Sequence, residues 1–579
     1  MNLPKSDPKR LARLIAGLAL ISALVVQCIG AWTDSQTTDE GAHLAAGLSY
    51  WRTGDWRLNP EHPALVKLLA AAPLLFSSRL QPTADPALWA NRDQWSIGRL
   101  LLYQQLTPPG ETKIALFLAR LPIILIWLGL GLVVWRWAAA RTSEWGGMLA
   151  TVLYAFDPTL LGHGHLVTTD VAVAAGMTAT FWLATKLVNR PRWRMVIWLA
   201  VIFSLTQLTK FSALILWPLL FGLLAVVVVT AQTGWTWSWW RRTLFITMAI
   251  SAITTWTVYG FEVQPANSDP RIAQLWSERD ALASSPELTT MPPLIQSLTR
   301  ATEPGSRLRA QLESFARVPI PAYSYWRGIF ALTSHNFWGH AAYLFGEQSS
   351  QGWWYYFPVA IAAKTPLPVL GLGVVLLALA WPRRRQLWVP RHFLLIIPII
   401  GYLVWSLTSR INIGLRHVLP VYPLFYIAAA SLITWINGRW AHWALWLTVA
   451  SLPIIVWAAW PNTIGYFNVL AGGTGGGHRI LLDSNMDWNQ DLWRLRDELQ
   501  AAGNPPAMIA LFGSVPVEVV LPRPNRIPTD NEVATAGLPR GLVVISKGIL
   551  YSVDQPFHWL RKLSPSKTIG SSILMYDLR

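Results

Sequence analysis

The chain has 579 residues, 53% hydrophobic and only 13% charged, with a formal net charge of +17. An average soluble domain carries about 25% charged residues, so these figures and a mean hydropathy of +0.34 exclude a large soluble protein and point to a multi-span membrane protein. Lys and Arg stand in short clusters between apolar runs, which excludes a nucleic-acid-binding patch and fits basic loops that orient membrane helices.

In chain order, apolar runs predict membrane spans at about 11–31, 114–138, 146–162, 169–189, 194–208, 211–231, 243–260, 353–381, 393–409, 415–436 and 440–460, with a twelfth or thirteenth in 64–78 or 325–345. The sole cysteine, Cys28, lies in the first run, so no disulfide forms within the chain. Gln27 before it is too large for a small-residue cleavage site, and the run reads as an uncleaved signal anchor. Thirty-five Trp residues suit the membrane–water boundary. With Lys5, Lys9, Arg10 and Arg13 inside, alternation makes every short inner loop basic: Arg136 and Arg141; Lys186, Arg190, Arg192 and Arg194; Arg241 and Arg242; Arg383, Arg384, Arg385 and Arg391; Arg439. Residues 32–113, 163–168, 261–352 and everything after 460 then lie outside. The tail carries a helical pattern, LWRLRDELQAA, and extended runs MIALFG, LVVISKG and SILMYDL, the pattern of a small α/β domain behind a GGTGGG linker.

The first outer loop, TDEGAHLAAGLSYWRTGDWRLNPEHP, concentrates Asp39, Glu40, His43, Glu61 and His62 at a membrane edge. A helix over 39–51 sets Asp39 and Glu40 about one turn from His43. Helix capping accounts for one acid, not for the whole set. A second outer cluster, DPTLLGHGHLVTTD, holds Asp157, His163, His165 and Asp170; His-x-His with a nearby acid suits a metal, and capping by Thr169 or Asp170 explains it equally well. Lys210, Arg410, Arg416 and His417 lie at outer turns, Arg120 near the outer end of the second span and Lys364 in the outer half of the eighth. Cations so placed need a partner, snorkel to head groups or hold a phosphate. Asp483, Asn485, Asp487, Asn489 and Asp491 alternate like a calcium loop, but Trp488 and Arg494 stand where Gly and Glu belong, so a capped helix start is the better reading. One face thus combines carboxylates, imidazoles and cations, the chemistry of group transfer from a phospho-lipid to an external hydroxyl or amine.

These motifs, in order, resemble the multi-span glycosyltransferases of the GT-C fold, nearest to the protein O-mannosyltransferase and aminoarabinose-transferase branch of family 39. The carrying segments are DEGAHLAAGLSYWRTGDWRLNPEHPALVKLL, DPTLLGHGHLVTTD, GHAAYLFGEQSSQGWWYYFPVAIAAKTPLP and LLDSNMDWNQDL. The resemblance implies a polyprenyl-phosphate sugar donor and inverting transfer on the outer face. It places the family's first-loop acid at Asp39, as base or as a ligand to metal or acceptor, with Glu40 beside it, and the second-loop acid at Asp170. A divalent metal is an open expectation, with His43 and His165 as candidate contacts. No β-trefoil insert is evident, which leaves glycan, lipid and protein all open as acceptor.

The expectation is therefore an all-α polytopic membrane protein of about 11–13 spans, GT-C-like over 1–465, with an extracytoplasmic α/β domain over 466–579. It sits in the plasma or inner membrane with its N-terminus cytoplasmic. Asp39, Glu40 and Asp170 are the catalytic candidates; Lys210, Lys364, Arg410, Arg416, His417 and His62 are the substrate-binding ones. The rival reading is a transporter or flippase for an anionic lipid or solute, which the lack of an internal repeat disfavours.

Overall fold

A computed structural model describes residues 7–106, 109–230, 234–387, 389–519 and 524–578. Lys5 and the Arg391 side chain, both among the orienting cations, lie outside the described residues. The chain is mostly helical, 67%. Among the described residues, five helices are long and apolar enough to cross a membrane: Pro8–Thr33, Gly110–Arg141, Asp170–Asn189, Phe211–Thr230 and Arg439–Ala459. Leu65–Leu74, Trp193–Gln207, His392–Ser406 and Val421–Trp435 are apolar but shorter. A helix over Trp237–Val258 covers the expected seventh span.

The expected spans 146–162 and 353–381 are broken, each at the residue before a proline. The run 353–381 is a pair, Tyr356–Lys364 and Leu367–Ala380, bent by 116°. Pro366 lacks an amide proton and restricts Thr365 to extended backbone (ψ 135°), so the first helix ends there. The run 146–162 is also two helices, Glu144–Ala155 and Pro158–His163, because Asp157 caps the second by accepting from the Leu160 amide at 2.8 Å.

The first loop folds into Thr38–Thr53 and Leu65–Ala71. The Thr38–Thr53 helix stops at Gly54, whose φ of +65° is the left-handed conformation that favours glycine. Ala42, Leu44, Ala45, Ala46 and Leu48 are buried, so this helix packs into protein rather than lying on lipid. The tail supplies the helix Leu492–Ala501 and a four-stranded sheet ordered Ala507–Ala510, Leu542–Ser546, Ile573–Asp577, Lys567–Ile569. The first pair is parallel and the others antiparallel. The extended runs in the sequence are these strands. Leu542–Ser546 is buried along its whole length, as a strand covered on both faces must be.

Asp487 ties the tail's entry to this sheet, accepting from the Gly548 amide at 2.9 Å. Burial pushes its carboxyl from an ordinary 3.8 up to about 7, against the pull of that amide. The folded chain then holds a proton that the unfolded chain loses above about pH 4, so this contribution to stability falls as pH rises from about 4 to 7. Asp487→Asn keeps the acceptor and removes the slope. Thermal unfolding in detergent is expected to show the variant gaining on wild type between pH 5 and pH 8, by roughly 3 kcal/mol at most. An equal difference at both pH values overturns this.

Candidate functional site

The helix Thr38–Thr53 is wound so that its two adjacent acids do different things. Glu40, in its first turn, points into the protein. Its Oε2 accepts from the Thr37 amide at 2.9 Å and from Arg120 Nη2 at 2.6 Å. Its Oε1 accepts from Arg120 Nε and the Val167 amide, both at 2.9 Å. Arg120 spends its remaining donors on the carbonyls of Ala31, Asp34 and Ser35. Both side chains are fully buried. Burial, the largest influence on Glu40, raises its pKa, but the guanidinium and the two amides outweigh it and hold the carboxyl below its usual range. Glu40 has no lone pair left for a substrate, and Arg120 no proton for a phosphate.

Asp39 takes the other direction. Its Oδ2 lies 3.0 Å from Arg416 Nη1, and its side chain retains 20% exposure. It caps nothing; the N-cap is Thr37. The same Arg416 nitrogen is 3.6 Å from Asp170 Oδ2, and Asp170 Oδ1 is 2.5 Å from Lys210 Nζ. Asp170, 1% exposed, thus links the two cations and does not cap its helix. One cluster therefore joins distant pieces of chain: the start of Thr38–Thr53, the start of Asp170–Asn189, and the turns at Lys210 and Arg416.

Arg416 is fixed by the tail. Its Nε donates to Ser484 Oγ at 3.1 Å, and its guanidinium lies 4.2 Å from the centre of the Trp488 ring, a desolvated cation–π contact. Asn485 accepts from the Leu415 amide at 3.0 Å and donates to Tyr356 Oη at 2.9 Å. The Thr38 amide donates to Trp488 O at 3.1 Å and Ser35 Oγ to Asn489 O at 2.5 Å. Ser484, Asn485, Asp487, Asn489, Gln490 and Asp491 are all buried. This stretch is a clamp across the site, not the start of a solvent-exposed helix. Asp483, at its head, sits in left-handed backbone (φ 58°). Burial raises its carboxyl to about 6 despite the Ser484 amide and Arg416. Sequence reasoning does not single out Ser484, Trp488 or Asp483 as site residues. The signal is nevertheless present: alternating Asp and Asn interleaved with Met and Trp is too polar for a core and too apolar for a linker.

The other expected site residues divide. His62, Lys210 and His417 line a cleft of about 430 Å³ together with apolar residues such as Leu214, Ile329 and Trp405 and neutral polar ones such as Thr333, Asn336 and Ser409. The cleft opens between the helices Leu216–Thr230, Tyr323–Trp338 and Pro390–Ser406. His62 is held well below the usual imidazole range, first by burial and then by neighbouring groups that include His43 and Lys210, so its ring is neutral at pH 7. Lys364 is elsewhere: Nζ donates to Ile464 O at 2.8 Å and to Asn485 O. Arg410 is exposed and donates to Phe337 O at 2.8 Å. Neither cation joins the cluster, because each is occupied by main-chain carbonyls.

His43 and His165 do not converge on a metal position. His43 Nδ1 is 2.7 Å from Val167 O, and its ring packs edge-on to His62 at 5.4 Å. His165 is occupied on both nitrogens, by Asp34 Oδ2 at 3.0 Å and Gln27 Oε1 at 2.9 Å. Asp34 continues to Arg494 at 2.5 Å, a second link between first loop and tail that no local pattern reveals. Among the described residues no group of three His, Cys, Asp or Glu is placed to hold a metal ion. The donor set does not fit a resident metal, and no step of the proposed chemistry is routed through one.

No protein-family model matches the chain, and no curated protein does. Solved structures do. ArnT from Cupriavidus metallidurans in the apo state matches at 14% identity and a TM-score of 0.44, over 96% of each chain. The same organism's ArnT bound to undecaprenyl phosphate matches at 13% and 0.42, over 96% of this chain and 97% of that one. The archaeal oligosaccharyltransferase AglB from Archaeoglobus fulgidus, in complex with an inhibitory peptide and a dolichol-phosphate, matches at 12% and 0.42, over 94% of this chain and 72% of that one. Likeness at this level carries no function across; the residues of the site have to do so.

Proposed function

We propose that the chain is a lipid-linked glycosyltransferase that moves a sugar from a polyprenyl-phosphate donor to an acceptor on the extracytoplasmic face, with inversion. One observation carries the reading: a largely apolar cleft includes Lys210 and His417 in its lining, and Lys210 is joined through Asp170 to Arg416, which faces the partly exposed Asp39. An isoprenoid chain fits the apolar lining and its phosphate the cations. In the reaction the acceptor oxygen or nitrogen attacks the sugar's C1 from the side opposite the phosphate. Its proton passes to Asp39 Oδ1, the carboxylate oxygen that Arg416 does not hold. The C1–O bond breaks, and the electron pair leaves with the lipid phosphate, whose charge Lys210 and Arg416 stabilise. Asp170 is a positioning residue that sets the spacing of those two cations. Glu40 is a positioning residue that anchors the helix carrying Asp39.

Incubation of membranes that contain the protein and their native acceptors with a labelled polyprenyl-phosphate sugar is expected to release polyprenyl phosphate and to label the acceptor. Movement of the intact donor across the bilayer without cleavage supports the transporter reading and overturns this one. Lys210→Met is expected to raise KM for the donor by roughly 10-fold or more, the loss of a charge-assisted contact to phosphate. An unchanged KM removes Lys210 from the donor site.

A further inference from the structure

The bundle carries a second polar cavity at its other end. Arg120 and Arg141 lie on one helix, 21 residues apart and so about 32 Å apart along its axis. Asp170 and Lys186 lie on another, 16 residues and about 24 Å apart. Arg120 and Asp170 belong to the site region, so Arg141 and Lys186 mark the opposite end of the bundle. Between them is a cleft of about 470 Å³, lined by Arg141, Lys186, Arg383 and His392 with walls of Trp137, Trp182 and Trp435.

Its charge is one-sided. Among the described residues no Asp or Glu lines the cleft. Glu144, at the same end, is 2.8 Å from Arg13. Lys186 and Arg383 are steadied by neutral groups. The Lys186 ammonium sits 3.5 Å from the centre of the Trp182 ring. The Arg383 guanidinium lies 5.6 Å from the Trp435 ring, and its Nη1 donates to Leu379 O at 2.9 Å. Across the cleft, Arg141 Nη2 lies 2.8 Å from His392 Nδ1. Positive charges gathered around one cavity repel one another, and an anion entering it relieves that repulsion. Asn189, Gln386 and Thr185 add neutral polar groups.

We propose that this cleft binds a phosphate-bearing anion, separately from the glycosyl-transfer site. The chemistry is that of a phosphodiester or phosphomonoester: Arg offers paired donors, Lys a point charge, and the indoles an apolar flank for the rest of the molecule. Basic pockets between membrane helices at the bilayer boundary suit anionic phospholipid head groups, and Trp belongs at that depth. A soluble phosphate ester is the other source of the same chemistry. The cleft does not take part in the proposed transfer.

The test is binding, so it does not depend on activity. The full-length protein is reconstituted with phosphatidylglycerol or with phosphatidylcholine, stripped in detergent, and its retained lipid counted by native mass spectrometry. Inorganic phosphate is titrated separately by calorimetry. Wild type is expected to retain phosphatidylglycerol at least ten-fold better than the Lys186→Gln, Arg383→Gln double variant, and phosphatidylcholine not at all. Arg242→Gln, which removes a cation at the same end that stacks on Trp193, is expected to bind as wild type. Phosphate binding with the same variant dependence, without lipid retention, assigns the cleft to a soluble phosphate. Equal retention by the double variant, equal retention of both lipids, or no binding of either probe overturns the proposal. If the double variant does not fold, Lys186→Gln alone decides, since Lys186 is exposed and its removal breaks no buried contact.

Discussion

Asp39→Asn is expected to lower the rate of sugar transfer roughly 10²–10⁴-fold, the range lost with a general base, while the protein still folds into the membrane. We take Asp39 as the base, rather than Glu40 or Asp170, on geometry. Of the three carboxylates expected to be catalytic, Glu40 accepts four hydrogen bonds and is fully buried. Asp170 is 1% exposed and sits between Lys210 and Arg416. Asp39 alone of the three is partly open, with a single cation on one oxygen. Asparagine has the same shape and still accepts a hydrogen bond from Arg416, so the loss reports on the proton and not on the fold. The readout is polyprenyl phosphate released from a labelled donor, alongside detergent-solubilised yield and elution profile. Wild-type turnover in this variant sinks Asp39 as base.

Arg120→Met is expected to cost about 3–5 kcal/mol of stability, the penalty for leaving a buried charge without its partner. Glu40 keeps its two amide donors but loses both guanidinium contacts, and the carbonyls of Ala31, Asp34 and Ser35 lose theirs. The expected result is a sharp fall in folded yield and thermal unfolding temperature. Adding Glu40→Gln should restore part of it by removing the stranded charge, though not the part owed to the carbonyls. Unfolding of the single variant at the wild-type temperature overturns the reading of this pair as the anchor of the first loop. The two variants test different halves of one helix turn: Asp39 the chemistry, Glu40 the scaffold that aims it.

The neighbours Asp39 and Glu40 show how far the sequence reaches. Local pattern places both in the first turn of a short helix, and that helix is present over Thr38–Thr53. Pattern alone does not say which carboxylate finds a cation inside the protein, because Arg120 and Arg416 come from far along the chain. Lys364 and Arg410 show the same limit in reverse. Their charge and their place in the sequence match those of Lys210 and Arg416, yet Lys364 is drawn to main-chain carbonyls and Arg410 stays exposed beside Phe337 O. The segment from Asp483 to Asp491 is legible as unusual, but not as a clamp: its partners, Ser35, Thr38 and Leu415, lie up to 455 residues away.

Composition and short-range periodicity, which act within a few turns, are enough to dictate the apolar helices and the gathering of acids and imidazoles beside the first helix, whereas the breaks before Pro158 and Pro366 interrupt runs that read as continuous. The pairings belong to the tertiary structure: Glu40 with Arg120, Asp170 with Lys210, Asp39 with Arg416. Buried charges must find opposite charges or hydrogen-bond donors wherever the fold brings them, and that choice depends on distances across the bundle that no local pattern contains.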